Sequence, residues 1–173
     1  MKGTIVNCLK ELMKNKYGKE KWEQSLEDAG IKGDTVFLAS SDVPDSAVMK
    51  VVQAACKNLN LSVSQLGDAF GDYWVNVYSQ KMYRHYYLKH KTAKDFLMDM
   101  DNVHKIMTKS MKNAQPPRFT YEWKNDGTLI MHYNSRRSLV DFLAGLAKGV
   151  GKYYHENLKV VKLGSARIQV TFP

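Results

Sequence analysis

Two adjacent prolines, Pro116–Pro117, divide the chain between two hydrophobic periods. Ahead of them apolar residues recur at three- and four-residue spacing; beyond them the pattern loosens into alternation. Proline has a fixed φ and no N–H to give, so neither period runs through that point undisturbed. The stretch leading to the break, Asp95 to Pro117, reads as one helix with Leu97, Met100, His104, Met107, Thr108 and Met111 on a single face. Thr92-x-x-Asp95 fits a capping box at its start. His104 sits within the apolar stripe, where an imidazole needs a hydrogen-bond partner, a metal or a route to water. A core histidine bonded to a backbone carbonyl and a metal ligand both meet that need.

The rest of the front half follows the helical period. Ile5, Cys8, Leu9, Leu12 and Met13 predict a first helix ending at Gly18, and Trp22, Leu26 and Ala29 a short second one closed by Gly30. Pro44 and Asp45 suit the first turn of a third, buried along Val48, Val51, Val52, Ala55, Cys56 and Leu59. Ser62-x-x-Gln65 predicts the capping box of a fourth, with Leu66, Ala69, Phe70, Tyr73, Trp74 and Val77 as its bulky face. Gly67 and Gly71 on that helix permit close approach by a neighbour. MYRHYYLKH is aromatic and basic; without a nucleic-acid module around it, packing is the better reading than base stacking.

Beyond Pro117, Phe119–Trp123 and a strand from Leu129 flank an Asn125-Asp126-Gly127 turn. Ser138-x-x-Asp141 reads as the start of a helix buried along Leu139, Phe142, Leu143, Leu146 and Val150, with Gly145 and Gly149 allowing tight packing. Leu158–Leu163 and Arg167–Phe172 read as two last strands around Gly164-Ser165. The fold class is α+β.

Length suits one domain with a sizeable core, 173 residues at 44% hydrophobic. No run is long enough to span a membrane, and the opening residues lack a signal-peptide pattern. Cys8 and Cys56 give neither a disulfide framework nor a zinc pattern, which fits a reducing, cytoplasmic setting. The charge of +9 is spread over helix faces without an Arg-rich recognition element, so it argues for no nucleic-acid partner. No base stands at a recognisable spacing from either cysteine, and His85, His90, His132 and His155 read as surface or packing residues. The chain carries no hydrolytic machinery and is not expected to be an enzyme.

Tyr133-x-Ser135-x-Arg137 places a phenol, a hydroxyl and a guanidinium on one side of the strand from Leu129. A polar hairpin face is one reading. The other is a cradle for carboxylates or phosphates, since arginine offers a rigid fork and the hydroxyls short donors. A histidine in an apolar groove suits the axial position of a porphyrin iron, and such a cradle suits the propionates at its rim. Together they describe a haem pocket.

The chain resembles the H-NOX domains, the haem nitric oxide/oxygen-binding family that includes the sensor domain of soluble guanylate cyclase. The matching pieces are MKGTIV at the start, Tyr17-Gly18, AFGDYW, MDMDNVHKIMTK with NAQPPR, and YNSRR with DFLAGLAKGVGKYY. The resemblance implies one sensor domain over residues 1–173, with a helical distal lobe to about residue 65, a proximal lobe with a four-stranded antiparallel sheet from about residue 66, and haem b between them. It implies His104 as the proximal iron ligand and Tyr133, Ser135 and Arg137 as the propionate clamp, with Asp45 supporting the arginine. Ile5 and Pro117 match residues that press the porphyrin out of plane. Family members that hold O2 stably carry a distal tyrosine where this chain has Phe142, and a polar-tipped aromatic where it has Leu9. Trp74 and Leu146 complete the expected distal wall.

The function so implied is a sensor that binds NO and CO, discriminates against O2, and signals by weakening of the iron–His104 bond and relaxation of haem and lobes. Three other readings compete: an O2 sensor using Trp74 as donor, a haem enzyme such as an NO dioxygenase or peroxidase, and haem storage or transport. A haem-free regulatory domain would show no haem absorbance. Expected partners are a histidine kinase, a cyclic-di-GMP enzyme, or an attached chemotaxis-receptor or cyclase output domain, in a bacterial cytoplasm, with no membrane contact by this domain. The start at Met1 suggests an N-terminal or free-standing sensor, and the end at Pro173 a domain cut from something longer.

Overall fold

Four helical glycines decide how two helices meet. Helix α4 (Val63–Tyr73) carries Gly67 and Gly71, and α8 (Val140–Tyr153) carries Gly145 and Gly149. A Cβ on Gly71 would fall inside the Gly145 backbone, and one on Gly145 inside that of Gly67. Residue numbers rise together along the contact, so the helices run parallel with their backbones touching. Asp68–Lys148 and Asp72–Lys152, at 2.8 and 2.9 Å, tie the exposed side of the same seam. Such exposed pairs contribute only about 0–1 kcal/mol each, so the close packing of the backbones stabilises the seam more than they do.

The computed structural model describes all residues, 1–173, and divides into two compact units, Met1–Leu66 and Gly67–Pro173. The first contains α1 (Gly3–Tyr17), α2 (Lys19–Asp28) and α3 (Asp45–Leu59). Gly18, at φ 100°, ends α1 and starts α2 in a single residue. Its core joins Leu9, Leu12 and Met13 to Trp22, Leu26 and the Val48–Ala55 face, all buried. Each fully buried aliphatic side chain there contributes about 1.5–3 kcal/mol. Asn58 fastens α3 to α2 by donating to Ser25 Oγ and Asp28 Oδ2. Val36 and Leu38 lie in an exposed segment without regular structure.

In the second unit α4 passes into a π-helical turn (Trp74–Tyr78) and a 3-10 turn (Ser79–Lys81), then α5 (Arg84–Leu88), α6 (Ala93–Met98) and α7 (Met100–Thr108). Strands β1 (Arg118–Asn125), β2 (Thr128–Asn134), β3 (Lys159–Lys162) and β4 (Arg167–Thr171) form one antiparallel sheet in the order β1-β2-β4-β3. Its inner face presents Phe119, Leu129, Met131, Tyr133, Ile168 and Val170 to a core shared with α6 and α8. No helix is long and apolar enough to cross a membrane.

Three sequence expectations change. The single helix expected from Asp95 onward is two, turned at Asp99, so α7 buries Val103 while Met111 lies beyond its end and exposed. The π turn shifts the phase of the fourth helical run, so Val75 and Tyr78 face the core and Val77 is 43% exposed. Ser138 does not cap α8: it adopts φ 51°, and Leu139 occupies the N-cap position without a side-chain bond. Of the other two boxes, Ser62–Gln65 forms in full and Thr92–Asp95 forms its N-cap half. Asp95 N–H donates to Thr92 Oγ1 at 3.0 Å. Ser62 and Gln65 bond reciprocally, at 2.8 and 3.1 Å.

Gly71→Ala places a methyl group where the Gly145 backbone lies, and the helices must part to admit it. The expected loss is about 3 kcal/mol or more of unfolding free energy, read by chemical denaturation. Alanine at Gly30, whose Cβ would meet nothing within 4 Å, adds no such overlap, only the penalty of its φ of 75°.

Candidate functional site

His104 stands on α7, one residue beyond Val103, the helix's buried anchor. Its Nδ1 is the only buried side-chain nitrogen or oxygen without a hydrogen-bond partner in the protein. Burial pushes the imidazole pKa down, opposed by the nearby Pro117 carbonyl and the Asp101 charge, so the ring is held neutral. The Pro117 carbonyl exerts that pull without making a hydrogen bond to Nδ1. The His104 ring lies 5.6 Å from that of Phe119, which in turn lies 6.0 Å from Tyr133.

Asp101, one helical turn earlier, fixes this helix to β1. Its carboxylate accepts from Arg118 Nε and Nη2 at 2.7 and 2.6 Å and from the Phe119 N–H at 3.0 Å. Lys105 Nζ is 3.4 Å away. The Arg118 fork holds the Asp101 carboxyl well below the usual carboxylate range. Asp101 N–H donates to Tyr121 Oη, and burial pushes that phenol up to about 12. Sequence reasoning missed Asp101, Arg118 and Phe119. Their available signal was the position of an acid three residues before the histidine and a base directly after the prolines.

Tyr133 ends the inner face of β2, but Ser135 and Arg137 are not on the strand. They lie in the turn that follows Asn134, which corrects the expected single face. What brings them together is the turn itself: Arg137 N–H donates to Ser135 Oγ at 3.3 Å. Arg137 Nη1 donates to the Gln115 carbonyl at 2.6 Å, so the clamp arginine holds the segment that leads into Pro117. No protein acceptor takes the hydroxyl hydrogens of Tyr133 and Ser135. Within this unit the structure therefore gathers His104, Pro117, Tyr133, Ser135 and Arg137 around one strand entrance.

Trp74, Phe142 and Leu146 stand along the α4–α8 seam of the same unit. Phe142 is buried, with its ring 5.2 Å from Phe70, and has no donor to offer. Trp74 stacks between Phe70 and Tyr78, at 6.0 and 5.6 Å, and Leu146 packs partly buried on the core. Leu9, Ile5 and Asp45 belong to the first unit: Leu9 is buried on α1, Ile5 half-buried. Asp45 Oδ1 accepts from the Met1 ammonium at 2.6 Å.

The donor set can be tested against a haem. No three His, Cys, Asp or Glu side chains converge on a point, so a lone imidazole suits only a metal that arrives with its own equatorial ligands. A neutral ring whose buried Nδ1 has no protein partner is free to take a metal, and a backbone carbonyl near the ring, here that of Pro117, is the usual outer partner of a metal-bound histidine. The uncommitted hydroxyls fit carboxylate groups at a rim. The residues present fit the group.

A family model described as Haem-NO-binding matches residues 2–162. Soluble guanylate cyclase gcy-34 of Caenorhabditis elegans is 26% identical over 157 residues, covering 88% of this chain and 23% of that protein. Its paralogue gcy-35 is 22% identical over 169 residues, covering 94% and 24%. The chain thus spans about a quarter of the length of the curated relatives it matches. Among solved structures, the Fe(II) unliganded H-NOX protein from K. algicida aligns at TM-score 0.89 and 19% identity, covering 100% of this chain and 97% of that one. An oxygen-binding H-NOX domain related to soluble guanylate cyclases aligns at 0.80 and 24%, covering 99% and 95%. These structures share the α+β fold.

Because the imidazole pKa is lowered from 6.5 in the folded chain, the neutral ring contributes stability above that value, and the contribution is lost as pH falls below it. The haem-free protein is expected to lose more thermal stability between pH 7.5 and pH 5.5 than the His104→Leu variant does. Equal losses in both would remove His104 as the cause.

Proposed function

The chain belongs to the haem-NO-binding, or H-NOX, family of haem-binding gas-sensor domains, and on that premise we propose that it senses NO, also takes CO, and discriminates against O2. The observation that carries this reading is His104, a buried imidazole whose Nδ1 has no protein partner and which belongs to no cluster of three metal-binding side chains. His104 would hold the iron of haem b. Tyr133, Ser135 and Arg137 would hold the propionates, with Asp45 supporting the arginine. Ile5 and Pro117 would press on the macrocycle.

Bound there, the haem supplies a ferrous iron that takes one diatomic gas. The residues proposed for the distal side set the choice. O2 draws negative charge when bound and is held by a nearby O–H or N–H, while NO and CO need none. Phe142, Leu146 and Leu9 have no donor. Trp74 has an indole N–H, but its ring is engaged by Phe70 and Tyr78. Its packing favours the wall over the O2-sensor alternative.

The signal would start at His104. The imidazole would move with α7 once released, and the Asp101–Arg118 pair is placed to pass that motion to β1. The Arg137–Gln115 bond is placed to carry it to the turn after β2. The receiver would be a histidine kinase, a cyclic-di-GMP enzyme, or an attached receptor or cyclase domain; the curated relatives, of which this chain spans about a quarter, are named as soluble guanylate cyclases.

The absorbance spectrum of the ferrous protein tests the reading directly. With NO, the Soret band is expected to move to ~400 nm, the five-coordinate position, and air is expected to give no stable adduct. A persistent O2 complex would overturn the gas assignment, and no haem band after supplementation would overturn the cofactor.

Phe142→Tyr adds the missing O–H on α8 and is expected to produce an O2 adduct that outlasts wild type by about five- to tenfold, the effect of one hydrogen bond of about 1–1.5 kcal/mol. His104→Gly with free imidazole is expected to restore the spectrum while uncoupling α7 from NO. Unchanged hydrogen exchange of α7 on NO addition in wild type would refute the proximal route.

A further inference from the structure

From Tyr73 to Lys94 the chain contains no aspartate or glutamate, yet it carries Lys81, Arg84, Lys89, Lys91 and Lys94. The net charge of the segment is +5. It folds as the 3-10 turn, α5 and the entry to α6, with the charged side chains exposed. Met82 and Leu88 stand among them, 44% and 64% exposed.

On the α4–α8 seam and the adjoining strand three lysines pair with acids: Lys148 with Asp68, Lys152 with Asp72 and Lys162 with Asp141. Here Arg84 and Lys91 have no carboxylate partner. Lys89 and Lys94 lie over the Tyr86 and Trp123 rings, at 5.5 and 4.6 Å. The bordering acids are otherwise engaged or at the margin. Glu156 accepts from the Ala93 N–H, Asp99 bonds His90, and Asp95 begins the next helix turn.

The segment is held rigid from beneath. Tyr87 is buried, stacks on Phe96 at 4.5 Å, and shares a 2.9 Å hydrogen bond with Ser79 Oγ. Tyr154 Oη donates to the Tyr87 carbonyl at 2.7 Å. His90 bridges the Tyr86 carbonyl and the Asp99 carboxylate, at 2.9 and 3.1 Å, which ties the segment to the residue at the N-cap of α7. A pre-ordered surface loses little entropy when a partner binds.

We propose that Arg84, Lys89 and Lys91, with the exposed Met82 and Leu88 of the same segment, form a docking surface for an acidic segment of a partner protein. Charge complementarity selects that occupant, and the exposed apolar residues add an uncharged contact. Nucleic acid fits less well, because Tyr87 is buried and the rings of Tyr83 and Tyr86 already pack on Trp74 and His85. A membrane fits less well, because α5 spans five residues, too short to present an amphipathic face to an interface. The surface stands apart from the choice of gas.

The test uses the full chain and a fluorescein-labelled peptide of repeating Glu-Glu-Leu. A variant carrying Arg84→Glu, Lys89→Glu and Lys91→Glu is expected to bind it about tenfold more weakly than wild type. A control with Lys32→Glu, Lys50→Glu and Lys57→Glu makes the same change of net charge on the first unit and is expected to bind as wild type does. Leu88→Ser is expected to weaken binding without altering its salt dependence. Equal loss in both charge variants, or no binding by wild type, would overturn the proposal. So would tighter binding of oligouridylate or phosphatidylserine vesicles than of the peptide.

Discussion

One carboxylate ties the helix that bears His104 to the sheet of the second unit. Asp101 gathers two nitrogens of the Arg118 fork and the N–H of Phe119, and by doing so fixes α7 to the first residues of β1. That contact spans the double proline, the point at which the backbone can belong to neither helix nor strand. Bidentate charge-assisted bonds constrain orientation as well as distance. They therefore decide where His104, one turn further along α7, lies relative to Phe119 and Pro117.

A second constraint sets the opposite side of the same unit. The glycines of α4 and α8 let two backbones touch, and a packed seam of this kind moves as one body. Phe142, Leu146 and Trp74 all stand along it, so their positions are set by backbone contact. Trp74 additionally begins the π turn, where the helix widens and redirects the chain toward the basic segment around α5. Between the rigid seam and the arginine turn at Arg137, α7 has a single buried anchor, Val103. An element lightly held in the core and firmly held at one charge pair is suited to transmit a small displacement.

The candidate site residues stood out in the sequence because their chemistry is carried by residue type. A histidine in an apolar stripe and a Tyr-x-Ser-x-Arg run each state a need for a partner that no neighbour in sequence supplies. The extent of α3, the two formed caps and the four strands were legible for the same reason, since period and cap are local properties. What misled was geometry that depends on distant residues. Ser135 and Arg137 look strand-like by spacing, yet the turn after Asn134 lets the arginine reach the Gln115 carbonyl. Ser138 looks like a cap, but it sits at φ 51°, a conformation its side chain has no part in choosing.

The sequence by itself determined the α+β class, the break at Pro116–Pro117 and the glycine pairs, because each follows from local sterics or period. Tertiary structure decided the turn at Asp99, the phase shift through the π helix, and the assembly of Asp101 with Arg118 and Phe119. Those features are settled by interactions between residues far apart in the chain, whose free energy exceeds the small local preferences that a single stretch of sequence expresses.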